Sequence, residues 1–235
     1  MTTNDERQTT NDERPVTADQ LSSLVLRPSS VSRSELDLSA IIQGRRSVRR
    51  YQDRPVAREL VMEVLEAGRW APSPHGRQPW RFAVLTRPER KQRLADAMGD
   101  EWRRQLAFDG QDQTVIETRR QKSHNRILRA PVIIIPCLYL EDLDVYPDAD
   151  RNAAEATMAI QSLGCAVQNM LLMAYNLGLD CGWMCAPLFC PPVVGAALDL
   201  DPALTPHALI TLGYAAADPV RRERLPLDEL VVQFD

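Results

Sequence analysis

Arg45, Arg46, Arg49, Arg50 and Arg54 fall within ten residues, RRSVRRYQDR, with Ser47 among them. The whole chain carries 28 Lys and Arg against 32 Asp and Glu, a net charge of −4, so this density is local. Guanidinium groups grip phosphate or carboxylate through charge-assisted, often two-pronged hydrogen bonds, and a hydroxyl adds a further donor. The run therefore suits an anion. A solvated basic face has the same composition, so other segments must decide between the two readings.

Three segments bear on that choice. The loop APSPHGRQPW at 71–80 sets Ser73, His75, Arg77 and Gln78 on a backbone stiffened by Pro72, Pro74 and Pro79, which suits the polar edge of a planar ligand. GLDCGWMCAP at 178–187 has small residues past which backbone N–H groups approach a ligand closely. LGYAAADPVRRERLPL at 212–227 places Arg221, Arg222 and Arg224 after a strand-like run. Catalytic signatures are missing: there is no HExxH, GxSxG, P-loop or GxGxxG. His75, His124 and His207 lack metal-ligand spacing, and Cys181, Cys185 and Cys190, in an apolar stretch, read as buried side chains and not as a metal site. Anion-gripping arginines without acid–base machinery fit a protein whose chemistry is carried by a cofactor.

These groups must be held by elements that the periodicity outlines. Residues 1–35 are polar and repeat TTNDER at 2–7 and 9–14, so they are expected to form a disordered arm, with folding from Ser34, the expected N-cap of a short helix that Gly44 ends. A second helix opens at Pro55 and stops at Trp70. WRFAVLT reads as a strand, 88–108 and 112–129 as charged helices, and PVIIIPCLYL as a buried strand whose Pro136 favours an edge or a bulge. The longest helical pattern, about 152–177, is apolar on more than one face and so belongs at the centre of a domain or a dimer. LDCGWMCA, a helix over 191–198 and a strand over 208–214 follow. The tail ERLPLDELVVQFD has apolar residues and no domain left to contain it, as in tails that cross to a partner subunit. The order predicts an α+β fold, a mixed sheet flanked by helices, over residues 36–235.

Composition narrows the function. At 44% hydrophobic and 26% charged residues the chain reads as a soluble globular protein. Its acidic balance argues against a nucleic-acid partner, and no stretch is long and apolar enough for a membrane partner. The first residues lack the apolar core of a signal peptide, so a cytoplasmic, reduced location is expected.

Taken in order, RRSVRRY, PSxxxxQPW, AVQNMLLMAYNLGLDCGWM and LGY…RRERLPL resemble the nitroreductase family of flavoproteins over roughly residues 37–230. The resemblance implies a domain-swapped homodimer with one FMN per subunit at the interface, reduced by NADH or NADPH. It places Arg45, Arg46, Ser47 and Arg49 on the FMN phosphate and ribityl chain, and Arg222 and Arg224 as a second basic pair on the same phosphate. Pro72, Ser73, His75 and Gln78 match the loop that reaches over from the other subunit. Cys185 and Ala186 match the point where N–H groups meet the isoalloxazine ring. Gly76 stands where many members carry asparagine, with His75 or Arg77 as a substitute. Within the family, RRSVRRYQDRPV, APSPHGRQPWRFAVL, EWRRQLAFDG, LRAPVIIIPCL and VYPDADRNAAEATM look like the C-terminal FMN-dependent reductase domain of the coenzyme F-420 biosynthesis enzyme, which reduces the dehydro precursor. No γ-glutamyl ligase domain precedes it, so glutamylation is not expected. An anionic deazaflavin acceptor would call on Arg119, Arg120, Lys122, His124 and Arg126. The alternatives are a broad NAD(P)H nitro-, quinone- or enone-reductase, and a flavin-binding protein without turnover.

Overall fold

The structure, a computed structural model, describes residues 37–219 and 223–235. The expected N-terminal arm, Ser34 and Arg222 lie outside the described residues. Twelve main elements follow in order among those described: α1 (Leu38–Gly44), α2 (Arg58–Arg69), β1 (Trp80–Leu85), α3 (Pro88–Phe108), α4 (Gln113–Leu128), β2 (Val132–Tyr139), α5 (Ala149–Asn176), β3 (Asp180–Met184), α6 (Pro191–Leu198), β4 (Leu204–Pro206), β5 (Leu209–Gly213) and α7 (Leu227–Leu230).

Side chains that satisfy the first free N–H groups start several of these helices. Asp37 accepts from Ala40 N–H to open α1, Asp112 from Thr114 N–H to open α4, and Asp148 from Arg151 N–H to open α5. The α1 cap is thus Asp37, three residues beyond Ser34. Pro55 does not start α2, which begins at Arg58 behind an extended Ala57. Gly178, at φ 80°, ends α5 in the left-handed region, with its N–H on the Tyr175 carbonyl and Leu179 N–H on that of Ala174.

The strands order β1-β2-β5-β3, with β4 on β2 beyond the end of β5. Every ladder between these strands is antiparallel, and the parallel component of the sheet is one bridge, Ser47 to Cys181. Both faces are covered, which is why β2 reads as an unbroken apolar run. Ile133, Ile135 and Cys137 face Leu94 and Met98 of α3, Ile127 of α4 and Val194 of α6. Val132 and Ile134 face Val61 and Val64 of α2 and Val167, Met170 and Leu171 of α5. Each face takes every second residue of β2.

Pro136 sits in a central strand, not at an edge, and the bulge is there instead. His207 and Ala208 both donate to its carbonyl, at 2.9 and 3.4 Å, where the neighbour of β2 changes from β5 to β4. A residue's N–H and C=O point the same way in such a strand, so the missing donor of Pro136 falls where no acceptor is waiting.

The second apolar face of α5 is uncovered in the single chain: Ile160 is 47% exposed, and Cys165 one turn further along is exposed too. The tail is uncovered too, with Leu225, Leu227, Val232 and Phe234 among its exposed residues. Among the described residues no helix is long and apolar enough to cross a membrane.

Candidate functional site

After α1 the chain runs as an extended strap along the free edge of β3. Ser47 pairs in parallel with Cys181, and Val48 N–H donates to the Cys181 carbonyl at 2.8 Å. The strap then crosses to β5: Tyr51 pairs with Ala215, Gln52 N–H donates to Tyr214, and Ala216 N–H to the Arg50 carbonyl.

Two residues make this close approach possible. Gly182 lies beneath the strap, where an added Cβ would stand 2.4 Å from the Val48 carbonyl oxygen and 2.7 Å from Thr211 Oγ1. The Tyr51 hydroxyl lies 2.7 Å from Thr211 Oγ1, 2.9 Å from the Val48 carbonyl and 3.0 Å from that of Thr211. Burial raises its pKa, so it stays a neutral pin. Sequence reasoning passed over both. Their signals were a glycine inside an apolar strand and a tyrosine ending the arginine run.

The structure gives the five arginines different work. Arg45 is half-buried, and its Nε is buried without a hydrogen-bond partner. Arg46 turns back on the end of α1, its guanidinium donating to the carbonyls of Gln43 and Arg45. Arg49 and Arg50 are exposed, as is Ser47. Arg54 stacks on the Tyr214 ring, 3.8 Å from its centroid, and serves the fold.

At the far end of β3 the chain turns through Cys185 and Ala186, both exposed. Cys181 and Cys190 are buried as expected, but Cys185 is not, because the strand ends before it and the following turn carries it outward. Among the described residues neither Cys185 N–H nor Ala186 N–H has a hydrogen-bond acceptor. Four residues separate Cys181 from Cys185, about 14 Å of strand. One edge thus carries an anion grip at one end and free N–H donors at the other.

The loop before β1 is held in an uncommon conformation. His75, Gly76 and Gln78 lie in the left-handed region at φ 55°, 65° and 52°, which costs free energy for the two that carry side chains. Ser73 Oγ accepts from Gln78 N–H at 3.0 Å, and Arg77 is fastened to the Asp142 carbonyl and, at 2.7 Å, to Asp144. Arg77, one of the two residues expected to substitute for an asparagine at Gly76, is thus engaged by the Asp142 and Asp144 loop. Pro72, His75 and Gln78 are exposed.

One chain does not bring loop and strap together. The loop adjoins β1 at Trp80, opposite Leu138, whereas the strap adjoins β3 at Cys181, whose row passes through Leu212 to Val132. Three strand spacings and six residues separate those corners, roughly 14 Å across and 20 Å along. Arg224 is exposed and, among the described residues, makes no ion pair or hydrogen bond, so the structure does not join it to the strap.

Of the cations on α4, Arg119 and Lys122 are exposed. Arg120 pairs with Asp100 and Glu117, and His124 with Asp96. Arg126, half-buried like Arg120 and His124, instead donates from its guanidinium to Met184 Sδ at 3.3 Å.

Fold and site together define an α+β protein whose sheet edge carries Arg45 and Ser47 at one end and free N–H donors further along it. The chain belongs to the nitroreductase family, whose model matches residues 42–214. It is 32% identical over 219 residues to an NADH dehydrogenase of Thermus thermophilus, covering 84% of this chain and 96% of that one. Among solved structures it resembles a Desulfovibrio desulfuricans protein assigned to the nitroreductases and crystallised in complex with FMN, at 32% identity and a TM-score of 0.65 over 86% of this chain and 98% of that one. A BluB-like flavoprotein from Clostridium difficile shares the fold at a TM-score of 0.71 and 22% identity, over 85% of this chain and 100% of that one.

Proposed function

We propose that the protein is an FMN-dependent NAD(P)H oxidoreductase that works as a homodimer and reduces a small organic acceptor. The observation that carries this is the edge of β3, where the orphaned Arg45 Nε beside Ser47 lies one end away from the free Cys185 and Ala186 N–H groups. A phosphate chain leading to a planar ring with hydrogen-bond acceptors fits both ends, so the residues present fit FMN. When bound, FMN supplies hydride uptake from NAD(P)H and hydride delivery to the acceptor.

The chain's own residues bind and orient. Arg45, Arg46, Ser47 and Arg49 hold the phosphate and ribityl chain, with Arg222 and Arg224 as a second basic pair. The amides of Cys185 and Ala186 donate to the ring edge and favour negative charge there. Pro72, Ser73, His75 and Gln78 cover the ring from the second copy, since one chain leaves them at the opposite corner of its sheet. The uncovered face of α5 and the apolar tail supply contact area for that copy.

Two acceptor readings follow. One reading is a broad nitro-, quinone- or enone-reductase, which relatives named as an NADH dehydrogenase and an NAD(P)H nitroreductase favour on the nitro side. The stretches EWRRQLAFDG and VYPDADRNAAEATM, outside the FMN motifs, favour reduction of the dehydro precursor of coenzyme F-420. Incubating reduced enzyme with that precursor and weighing the product decides between them: a gain of two hydrogens supports the second, and no gain beside fast nitroarene reduction supports the first. Purified protein that takes up FMN yet oxidises NAD(P)H with no acceptor would overturn both.

A further inference from the structure

The loop before β1 needs help to keep its shape. His75 and Gln78 sit in the left-handed region, which disfavours residues with a side chain. Within the loop, Gly76 N–H donates to the Ser73 carbonyl at 3.0 Å, Arg77 N–H to that of Pro74 at 3.3 Å, and Gln78 N–H to Ser73 Oγ at 3.0 Å. Arg77 stands between the two left-handed residues and reaches 65 and 67 positions along the chain, to the Asp142 carbonyl and to Asp144. Its side chain is only 22% exposed and shares a small hollow with Glu155, a buried carboxylate of α5.

The segment that receives Arg77 is itself fixed by the start of α5. Asn152 accepts from Tyr146 N–H and donates to the carbonyls of Tyr146 and Asp148, each at 2.8 Å. Arg151 pairs with Asp148 and stacks on the Tyr146 ring, 5.0 Å from its centroid. Helix α5 therefore braces residues 142–148, and these brace Arg77 between the two left-handed residues.

We propose that Arg77 and Asn152 are positioning residues for the cofactor, keeping Ser73–Gln78 in the form that covers the FMN of the second copy. The Arg77 guanidinium works from behind the loop, engaged by Asp142 and Asp144 and so not offered to the flavin. Without this bracket the loop relaxes its left-handed residues, and binding must restore them. Apparent affinity then falls by the fraction of loops still correctly shaped. This rests on the FMN and homodimer reading above.

FMN titration of the full chain, with particle mass measured in parallel, tests it. Arg77→Gln and Asn152→Ala are each expected to weaken FMN about tenfold, the cost of roughly one left-handed residue passed on to binding, while the dimer persists. Both act through one bracket, so the double variant is expected within about threefold of the weaker-binding single and not near a hundredfold. The visible absorption of bound flavin moves toward that of free FMN as the cover loosens. Arg77→Lys, which keeps a donor for Asp144, restores part of the loss. Arg104→Gln, whose exposed pair with Glu101 lies outside the bracket, leaves FMN unchanged. If Arg77→Gln does not fold, Asp144→Asn, which spares the Asp142 carbonyl bond, carries the test with about a threefold loss expected. Folded dimeric variants that bind FMN within twofold of wild type would overturn the inference and leave the FMN reading intact. Losses that multiply in the double variant, or that come with loss of the dimer, would overturn it too. Wild-type protein that takes up no FMN would overturn the FMN reading, and this inference with it.

Discussion

Gly182→Ala tests the physical link between the fold and the arginine strap. The new methyl group would stand 2.4 Å from the Val48 carbonyl oxygen, and ordinary contact begins near 3.4 Å, so strap and strand must part by about 1 Å. Backbone blocks the methyl group, and no side-chain rotation relieves it. Parting by that amount stretches the Val48 to Cys181 hydrogen bond from 2.8 Å and the Tyr51 to Thr211 Oγ1 bond from 2.7 Å past useful length. Overpacking costs about 1–3 kcal/mol and each lost hydrogen bond about 1 kcal/mol. Strap relaxation relieves part of this, so a stability loss of about 2–4 kcal/mol is expected from urea unfolding. Arg45, Ser47 and Arg49 move with the strap, and losing one charge-assisted contact to phosphate weakens FMN about 10- to 100-fold by fluorescence titration. Gly195→Ala is the control: a Cβ there meets nothing within 4 Å, and the helix gains up to about 1 kcal/mol. A Gly182→Ala protein within 0.5 kcal/mol of wild type (on the order of ordinary surface substitutions) that binds FMN normally would refute the reasoning.

Arg45→Ala and Arg49→Ala should each weaken FMN about 10- to 100-fold in the same titration, whereas Arg54→Ala should leave FMN affinity unchanged and lose about 0.5–1 kcal/mol of stability with its stacking on Tyr214. Ile160→Arg on the uncovered face of α5 should turn a dimer into a monomer in sedimentation and remove FMN with it; a dimer that persists would place the second copy elsewhere. Asp199, held by Arg93 and Arg90, has its carboxyl pKa pushed down to about 2. A depressed pKa means stability that is present above about pH 4 and lost as pH falls through about 2. Asp199→Asn, which tolerates the residue's left-handed backbone at φ 53°, should therefore unfold earlier than wild type at pH 7, with the gap closing between about pH 4 and pH 2. A gap independent of pH would assign the effect to geometry.

Much of the fold was legible because periodicity reports burial directly. The α3 and α4 spans and the buried run of β2 follow from it, and so does the glycine stop after α5. The starts of α1 and α2 were not, since Pro55 and Ser34 are as good local signals as Asp37 and Ala57, and tertiary contacts choose between them. The three-residue β4 is too short to carry a period and exists only because the Pro136 bulge frees β2 to pair beyond β5. At the site, residue types announced the strap, but not that Arg54 stacks on Tyr214 and Arg46 turns back on α1. Those choices depend on what lies within a side chain's reach. Charge counting set Arg126 among five equal cations, and only the positions of Asp96, Asp100, Glu117 and Met184 single it out.

The most direct test of the central claim is titration of the apoprotein with FMN, followed by measurement of the complex's mass in solution. The account predicts saturation at one FMN per chain and a particle of twice 26.5 kDa, with Arg45→Ala shifting the titration about 10- to 100-fold toward weaker binding. A chain that stays colourless with excess FMN, or one that binds FMN fully as a monomer, would contradict it.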